Sequence, residues 1–406
     1  MGKEPTDYDI ATSAKPDEIE RLFKKTLAVG AQFGVILVLP APGLRFEVAT
    51  FRREGTYEDG RHPSWVKFTD ARQDAERRDF TINGLFLDPA GEGRILDYVG
   101  GEKDIRGRLV RAIGDPNKRF EEDKLRILRA VRFACTLDFQ IEPQTWAAVK
   151  SKARDITQVS HERIREELVK IFTRPHAERG LDLLDESGLL EVILPEISAM
   201  KGVEQPPQFH PEGDVFVHTR LLLKQLKDAS STLALGALFH DVGKPPTFTI
   251  QDRIRFNNHD KVGADMTRNI MRRLKFSNRE TEDVAALVDN HMRFKDVQKM
   301  REAKVKRFIA RPTFQDELEM HRIDCLASHG DISNWHFLRK KAAEYSQEDI
   351  KPKPLISGHD VMKLGIPEGP RVGEILSAVM DQQLERKFKN KNEALAWIKE
   401  SYIEKG

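Results

Sequence analysis

Cysteine is nearly absent from this sequence. Its 406 residues hold only Cys135 and Cys325, far apart and in no C-x-x-C pair. That excludes a disulfide framework and fits a reducing cytoplasm. No apolar run approaches the ~20 residues needed to span a bilayer as a helix, and the polar N-terminus is no secretory signal. An excess of charge of one sign is missing too. Lys and Arg total 67 against 65 Asp and Glu, a formal net charge of +2, so any nucleic-acid surface has to be a local patch. Internal repeats and low-complexity tracts are also lacking. What remains is 33% charged and 39% hydrophobic residues, the composition of a helix-rich globular protein. At roughly 150 residues per core, this length predicts two to four units.

Strand signals concentrate in the first quarter. Tyr8 to Ala11 predicts a short strand. Pro16 suits the first turn of a helix that the pattern carries to about Val29. Phe33 to Leu39 is mostly apolar and branched, as in a buried strand. After an Ala41-Pro42-Gly43 turn the chain alternates, with Leu44, Phe46 and Val48 on one face and Arg45, Glu47 and Ala49 on the other. Arg53 to Phe68 is polar, contains Gly55, Gly60 and Pro63, and reads as a mobile loop. From Glu121 helical periodicity takes over. Leu125, Leu128, Val131 and Cys135 mark one helix face, and Ser160 is placed to cap a helix over His161 to Phe172. Helices continue to about Ile350. Lys351-Pro352-Lys353-Pro354 is a linker, because a residue before proline resists the α region. A small helical unit follows, ending in Lys391 to Ile403.

The first chemical constellation is carboxylate on strand. Asp7 and Asp9 are one residue apart, which on a strand points both to one face, and Glu47 sits on the outward face of a later strand. Three such oxygen donors suit Mg²⁺, and two metal ions about 3.5–4 Å apart can activate a 3′-hydroxyl and stabilise a leaving pyrophosphate. A D-x-D alone is common and most often marks a solvated turn. Arg77-Arg78-Asp79 to Leu85 adds phosphate-matched donors, an Asp able to orient an arginine, and Asn83, able to satisfy backbone or sugar groups. In Glu121 to Ala134, Arg126, Arg129 and Arg132 recur every third residue, and Asp123 lies one turn before Arg126. Such a pair can hydrogen-bond a nucleobase edge while further arginines meet phosphates. Taken alone, the same spacing is ordinary ion pairing on an exposed helix, about 0.2–0.5 kcal/mol per pair.

Read in order, Asp7-Tyr8-Asp9, Glu47 to Arg52, Arg77 to Leu85 and Glu122 to Ala134 resemble the motifs of the class II CCA-adding tRNA nucleotidyltransferases and their bacterial poly(A) polymerase relatives. The resemblance runs from Gly2 to about Gln383. It implies an α+β chain: a polymerase-β-like nucleotidyltransferase head with a small mixed sheet, an all-α neck and body, and a further all-α domain. Asp7 and Asp9 are then the Mg²⁺ ligands, with Glu47 the third catalytic carboxylate. Arg78 contacts the nucleotide phosphates, with Asp79 and Asn83 beside it. Asp123 and Arg126 act as an amino-acid template for CTP or ATP, Arg129 and Arg132 complete the nucleotide site, and Arg163 braces the templating helix. The Arg53 to Phe68 loop helps switch between C and A addition. Two departures stand out. The family has a Gly-Gly turn followed by an Arg-Asp helix just before the Gly2-Lys3-Glu4-Pro5 stretch, so an N-terminally truncated head with impaired nucleotide binding is expected. Gly84 stands where the family has alanine and adds backbone freedom.

The second constellation is an ordered series: His218, His240-Asp241, His259, His291 and Asp324. Imidazoles and carboxylates together suit a divalent transition-type ion, which activates water for phosphoester hydrolysis. Lys244 is placed to neutralise a substrate phosphate. A lone histidine is usually a satisfied core or surface residue, but an adjacent His-Asp inside an apolar helix needs a partner or a metal. The series resembles the HD phosphohydrolase superfamily, with His218, His240, Asp241 and Asp324 matching its four-ligand core and His259 and His291 its second-metal positions. The resemblance extends to hydrolysis of 2′,3′-cyclic phosphates and related esters. Ile356 to Gly373 also resembles the tail of the CCA-adding family, with Gly365, Gly369, Pro370 and Gly373 reading as a compact turn between two short helices.

These readings divide the chain into a head over 1–112, a templating and RNA-binding neck over 113–200, an HD domain over 201–350 and a helical tail over 351–406. The implied partners are CTP, ATP and the 3′ ends of tRNA or other RNA, recognised by shape along the helical body. Basic stretches at Lys299 to Arg311 and Arg386 to Lys391 offer phosphate contacts, although a charge run is more often a solvated helix face. Competing readings are a poly(A) polymerase or A-adding enzyme, and a phosphohydrolase whose head only binds RNA.

Overall fold

The computed structural model describes residues 8–30, 34–55, 65–208 and 210–404. Asp7, Phe33 and the centre of the expected polar loop, 56–64, lie outside the described residues. The chain divides into two compact units, Met1–Ser198 with Arg273–Phe276 and Ala199–Arg272 with Ser277–Gly406.

The first unit opens with β1 (Asp9–Thr12), α1 (Pro16–Leu22), β2 (Thr26–Gly30), β3 (Val35–Ala41) and β4 (Leu44–Thr50). They form a mixed four-stranded sheet in the order β1-β4-β3-β2, with β1 parallel to β4 and the other pairs antiparallel. Ile19, Ile36, Val38 and Val48 make its core, while Glu47 lies on the opposite, open face of β4. The helix expected to reach Val29 stops at Leu22. Phe23 turns extended (φ −116°, ψ 129°), and the β-branched Thr26 enters a strand that pairs with β3. Ladder hydrogen bonds to an apolar neighbour outweigh helical pattern there. The ends of the polar loop are strands as well: β5 (Arg52–Glu54) pairs antiparallel with β6 (Val66–Phe68).

Next come α2 (Ala71–Glu76), the hairpin β7 (Leu85–Asp88) and β8 (Arg94–Asp97), α3 (Gly101–Arg106), β9 (Leu109–Val110), α4 (Pro116–Glu122), α5 (Leu125–Leu137) and β10 (Gln140–Ile141). The periodicity that begins at Glu121 does not make one helix. Asp123 is extended (φ −142°, ψ 107°), and its Oδ1 accepts the Leu125 N–H at 3.0 Å, so the carboxylate both breaks one helix and caps the next. Leu125, Leu128, Val131 and Cys135 are all buried on α5. The unit closes with α6 (Pro143–Ser151), α7 (His161–Phe172), α8 (Ala177–Glu186), α9 (Leu189–Ile193) and α10 (Pro195–Ser198). Ser160 occupies the N-cap position of α7, but its side chain makes no capping bond.

Gly84 has an ordinary negative φ of −94°. Backbone freedom is therefore not its role. A β-carbon there would stand 2.6 Å from Val99 Cγ2, so the position is small because it is crowded.

The second unit contains α11 (Val215–Lys224), α12 (Ser231–Phe239), α13 (Lys244–Thr247), a hairpin of β11 (Phe248–Ile250) and β12 (Ile254–Phe256), α14 (His259–Arg273), α15 (Asn278–Asn290), α16 (Glu302–Ile309), α17 (Phe314–Ala327), α18 (Ser333–Glu344) and α19 (Gln347–Ile350). The hairpin breaks the all-helical expectation; its strands are three residues long, too short for a period-2 signal. After the proline linker, α20 (Gly358–Met362), α21 (Pro370–Leu384) and α22 (Lys391–Ile398) enclose a core of Val361, Ile375, Val379 and Ile398. The Gly365–Gly369 turn thus joins one short helix to a fifteen-residue one. Among the described residues no helix is long and apolar enough to cross a membrane. Both cysteines are buried and unpaired, and burial pushes each thiol up to about 12.

Candidate active sites

Parallel pairing of β1 with β4 sets Asp9 directly opposite Glu47. Both line a cavity of about 630 Å³ in the first unit, and across it stand Arg77, Arg78, Asp79 and Asn83, then Asp123, Arg126 and Arg129. Acid and base residues far apart in sequence therefore share one space.

The arginines do not hang free in it. Asp74, only 2% exposed, accepts from Arg77 Nε and Nη2 at 2.9 and 2.8 Å and from Arg78 Nε and Nη2 at 3.3 and 3.2 Å. Arg78 also donates to Asn83 O at 2.8 Å and stacks over Phe86. Asp79 accepts from Arg129 Nε at 2.7 Å, from Asn83 Nδ2 at 2.9 Å and from the Phe80 N–H at 2.9 Å. Burial opposes the charge on Asp79, but Arg129 and these donors outweigh it and hold the carboxyl below its ordinary range. Asn83 Nδ2 is thereby engaged by the Asp79 carboxylate.

Asp123 Oδ2 accepts from Arg163 Nη2 at 2.9 Å. Arg126 is 7% exposed and donates to Glu122 Oε2 at 2.7 Å, Arg119 O at 3.2 Å and Arg77 O at 3.3 Å. These bonds use three of the five N–H donors of a guanidinium. Arg132 is not brought to the cavity. Its Nε donates to Glu167 Oε2 at 2.5 Å, and it stacks on Phe133. Asp74 and Glu167 went unnoticed in the sequence because neither belongs to a motif; buried acids opposite arginines are visible only in three dimensions.

The second unit gathers the imidazoles. His218, His240, Asp241, His259 and His291 are each 7% exposed or less. Among the described residues, ligand atoms here fall into three groups, His218 with His240 and Asp324, Asp241 with His259 and His291, and His218 with His210 and Glu212, each within 4.8 Å. His218 Nε2 is 2.9 Å from Asp324 Oδ1, His240 Nε2 is 3.2 Å from Asp241 Oδ2, and His259 Nε2 is 3.1 Å from His291 Nε2. Lys244 Nζ donates to Asp241 Oδ2 at 2.6 Å and to Gln205 Oε1. His240, Asp241, Lys244, His259, His291 and Asp324 line a cavity of about 630 Å³ that also includes His210, Arg255, Phe256 and His321.

Electrostatics here is strongly perturbed. Burial works against protonation of His218, but Asp324 and Glu212 outweigh it and push the ring up to about 9. Burial and the neighbouring His259 drive His291 down to about 4. Burial would raise Asp324, yet His218 holds it well below the usual carboxylate range. A divalent ion fits this donor set. His240 gives Nδ1–H to Ala237 O at 2.8 Å, while its buried Nε2, 3.2 Å from Asp241 Oδ2, makes no aligned hydrogen bond among the described residues, and a metal bond would satisfy it.

The two basic stretches are largely engaged within the second unit. Lys306 is 1% exposed and donates to Leu384 O at 2.6 Å. Arg307 pairs with Asp381, Arg386 with Asp349, and Lys391 with Asp360, each at 2.6 Å.

Nucleotidyl transfer requires oxygen ligands for a divalent ion next to cations for a triphosphate, and the first unit supplies both, which places it among nucleotidyltransferases. Family models agree: residues 1–111 match the Poly A polymerase head domain, 138–201 the "Probable RNA and SrmB- binding site of polymerase A", and 214–327 the HD domain. The chain is 36% identical over 349 residues to an A-adding tRNA nucleotidyltransferase of Deinococcus radiodurans, covering 80% of this chain and 78% of that one. It is 32% identical over 405 residues to a CCA-adding enzyme of Lactobacillus johnsonii, covering 96% and 87%. The crystal structure of the Bacillus stearothermophilus CCA-adding enzyme in complex with CTP superposes with a TM-score of 0.74 at 27% identity, covering 98% and 89%. A Thermotoga maritima CCA-adding enzyme complexed with tRNA shares the fold, with a TM-score of 0.58 at 18% identity and coverage of 98% and 87%. The chain belongs to the tRNA nucleotidyltransferase and poly(A) polymerase family with an HD domain.

Proposed function

We propose that this protein adds CMP and AMP to tRNA 3′ ends, using CTP and ATP with Mg²⁺. The observation that carries the reading is the single cavity holding Asp9 and Glu47 opposite Asp123 and Arg126. Asp9 and Glu47, together with Asp7, hold the Mg²⁺, which when bound lowers the cost of deprotonating the attacking 3′-hydroxyl and neutralises the departing pyrophosphate. Arg77, Arg78 and Arg129 meet the triphosphate, their guanidinium planes fixed by Asp74 and Asp79. Asp123 accepts from the exocyclic amino group shared by cytosine and adenine, and the two remaining Arg126 donors meet the adjacent ring acceptor. Uracil and guanine present the opposite pattern on that edge and leave buried polar groups unpaired. Arg163 sets the Asp123 carboxylate.

A second reading is A addition alone, favoured by the Deinococcus radiodurans relative, named for that activity. In the second unit, His218, His240, Asp241 and Asp324 hold a divalent transition-type ion, with His259 and His291 available to a second one. Such an ion activates water toward a phosphoester, and Lys244 fixes Asp241 and faces the substrate phosphate. The proposed organisation is a head over 1–112, a neck over 113–200, an HD domain over 201–350 and a tail over 351–406, working in the cytoplasm.

The test uses Mg²⁺, labelled CTP or ATP, and two tRNAs, one lacking its last three nucleotides and one ending in CC, with Asp9→Ala as control. Two C residues followed by one A on the shorter tRNA support CCA addition. A added only to the CC-ended tRNA selects the A-adding reading, and long A tails select poly(A) synthesis. No incorporation on either tRNA sinks the transferase proposal.

A further inference from the structure

Three of the four imidazoles in the second-unit centre are anchored in the same way. His240, His259 and His291 each give Nδ1–H to the backbone carbonyl three residues earlier, Ala237, Phe256 and Val288, at 2.8, 2.9 and 2.6 Å. The ring proton is fixed on Nδ1, and Nε2 is left with the lone pair.

His218 is the exception. Its carbonyl three residues back, Val215 O, accepts instead from Thr219 Oγ1 at 3.0 Å. His218 is 0% exposed, so its Nδ1 is shut off from bulk solvent. What stands 2.7 Å from that nitrogen is Glu212 Oε1. The contact is close but imperfectly aligned as an N–H···O bond, and Nδ1 has no better partner among the described residues. The same Glu212 oxygen lies 2.9 Å from His210 Nδ1, and the His210 and His218 rings meet edge to face at 4.8 Å. The Glu212 side chain is only 5% exposed, and its second oxygen is buried without a hydrogen-bond partner among the described residues. A carboxylate sunk between two imidazoles, outside any helix and grouped with His210 and His218 rather than with the other donors around the cavity, has no packing role that an apolar residue would not serve better.

We propose that Glu212 is a positioning residue of this centre: it holds the Nδ1 proton of His218, so that Nε2, 2.9 Å from Asp324 Oδ1, presents its lone pair to the metal. The inference rests on reading the centre as metal-binding. A carboxylate anchor differs chemically from the carbonyl anchors on the other three rings. Its full negative charge makes the imidazole a stronger donor, and outer partners of this kind contribute strongly to affinity. His210 clamps the same oxygen and keeps the carboxylate in place.

The test uses the full-length protein and Co²⁺ as probe, with affinity measured by chelator competition and d–d absorption. In addition, ¹⁵N-histidine spectra of the Zn²⁺-loaded protein read the His218 Nδ1–H directly. Glu212→Ala is expected to weaken Co²⁺ binding roughly 10- to 100-fold and to shift the His218 Nδ1–H resonance upfield with faster solvent exchange. Glu212→Gln keeps a neutral acceptor and is expected to lose only about three- to tenfold. Nucleotide incorporation by the head stays at the parental level in both. Parental affinity and an unmoved resonance in Glu212→Ala overturn the inference. If that variant does not fold, parental affinity in Glu212→Gln overturns it alone. A parent protein that takes up no Co²⁺ overturns the metal reading itself, and the inference with it.

Discussion

Replacing Asp79 by alanine is the perturbation whose size the structure defines best. Asp79 is 9% exposed and serves three donors: Arg129 Nη2 at 2.6 Å, Asn83 Nδ2 at 2.9 Å and the Phe80 N–H at 2.9 Å. Breaking a fully buried ion pair by removing one partner costs about 3–5 kcal/mol. Arg129 keeps 29% of its side-chain surface exposed and retains a second carboxylate, Glu167, at 3.8 Å. Solvent and that neighbour reduce the expected loss to about 2–3 kcal/mol. For a unit of this size it corresponds to roughly 4–12 °C in the unfolding temperature. Asp79→Asn keeps the acceptor for Asn83 and Phe80 and should fall about midway. Differential scanning calorimetry at pH 7 measures the stability, and single-turnover CTP and ATP incorporation measures the function. Because Arg129 faces the cavity, nucleotide affinity should drop together with stability. An Asp79→Ala protein that unfolds within 1 °C of the parent, by the scale used here, would show that Arg129 is held by something other than this carboxylate.

Four further outcomes are expected. Asp9→Ala and Glu47→Ala sit on exposed strand positions and should abolish incorporation, by about 10³-fold or more, with almost no change in unfolding temperature; equal losses of both would mean structural collapse instead. Arg163→Ala removes the 2.9 Å bond to Asp123, about 1.5–3 kcal/mol for a charge-assisted pair, and should reduce kcat/KM for CTP and ATP roughly tenfold while relaxing exclusion of UTP, read in a competition assay. Asp97 is partly buried, which opposes its charge, but the N–H groups of Glu102, Gly101, Val99 and Gly100 more than offset this and hold its carboxyl below the ordinary range. Its stabilisation is therefore present above the ordinary carboxylate pKa of about 4 and fades as pH falls toward the lower folded value, so the stability gap between parent and Asp97→Asn should be widest near neutrality and close in acid. Gly243→Ala would drive a methyl into the backbone of His259 and Gly263, and overpacking of this kind costs about 1–3 kcal/mol; Co²⁺ affinity should fall with it, and an unaffected affinity would mean that the His259 end of α14 can move independently of the centre.

Much of the head was legible because its signals are local. The alternation over residues 44–50 and the branched run before it predict paired strands, and β3 and β4 deliver them. The spacing of Asp7 and Asp9 predicts a shared strand face, and the alternation puts Glu47 on an outward one; Asp7 lies outside the described residues, and only the strand order makes Asp9 and Glu47 neighbours. Residues 23–29 differ from the helix expected there because a short edge strand and a helix end have similar composition, and pairing with β3 settles the matter from outside the segment. The kink at Asp123 was missed because periodicity measures where apolar residues fall and is blind to a carboxylate that caps its own neighbour. Arg132 shares its repeat with Arg126 and Arg129, yet a buried glutamate on α7 draws it elsewhere. Glu212 had no signal at all, since it belongs to no motif and acts through His218. Acidic residues that position a basic one are the part of a site that pattern reading sees least.

The parallel pairing of β1 with β4 has a consequence for how the head can fail. The separation between Asp9 and Glu47 is set by backbone hydrogen bonding between their strands, so the sheet acts as a ruler for the ion that the proposed function assigns to them. A slip of one residue along that ruler would turn a carboxylate to the far face while leaving most of the core apolar contacts available. The head could thus lose its chemistry without losing its compactness, and amide exchange along Asp9–Thr12 would report catalytic readiness more faithfully than global melting does.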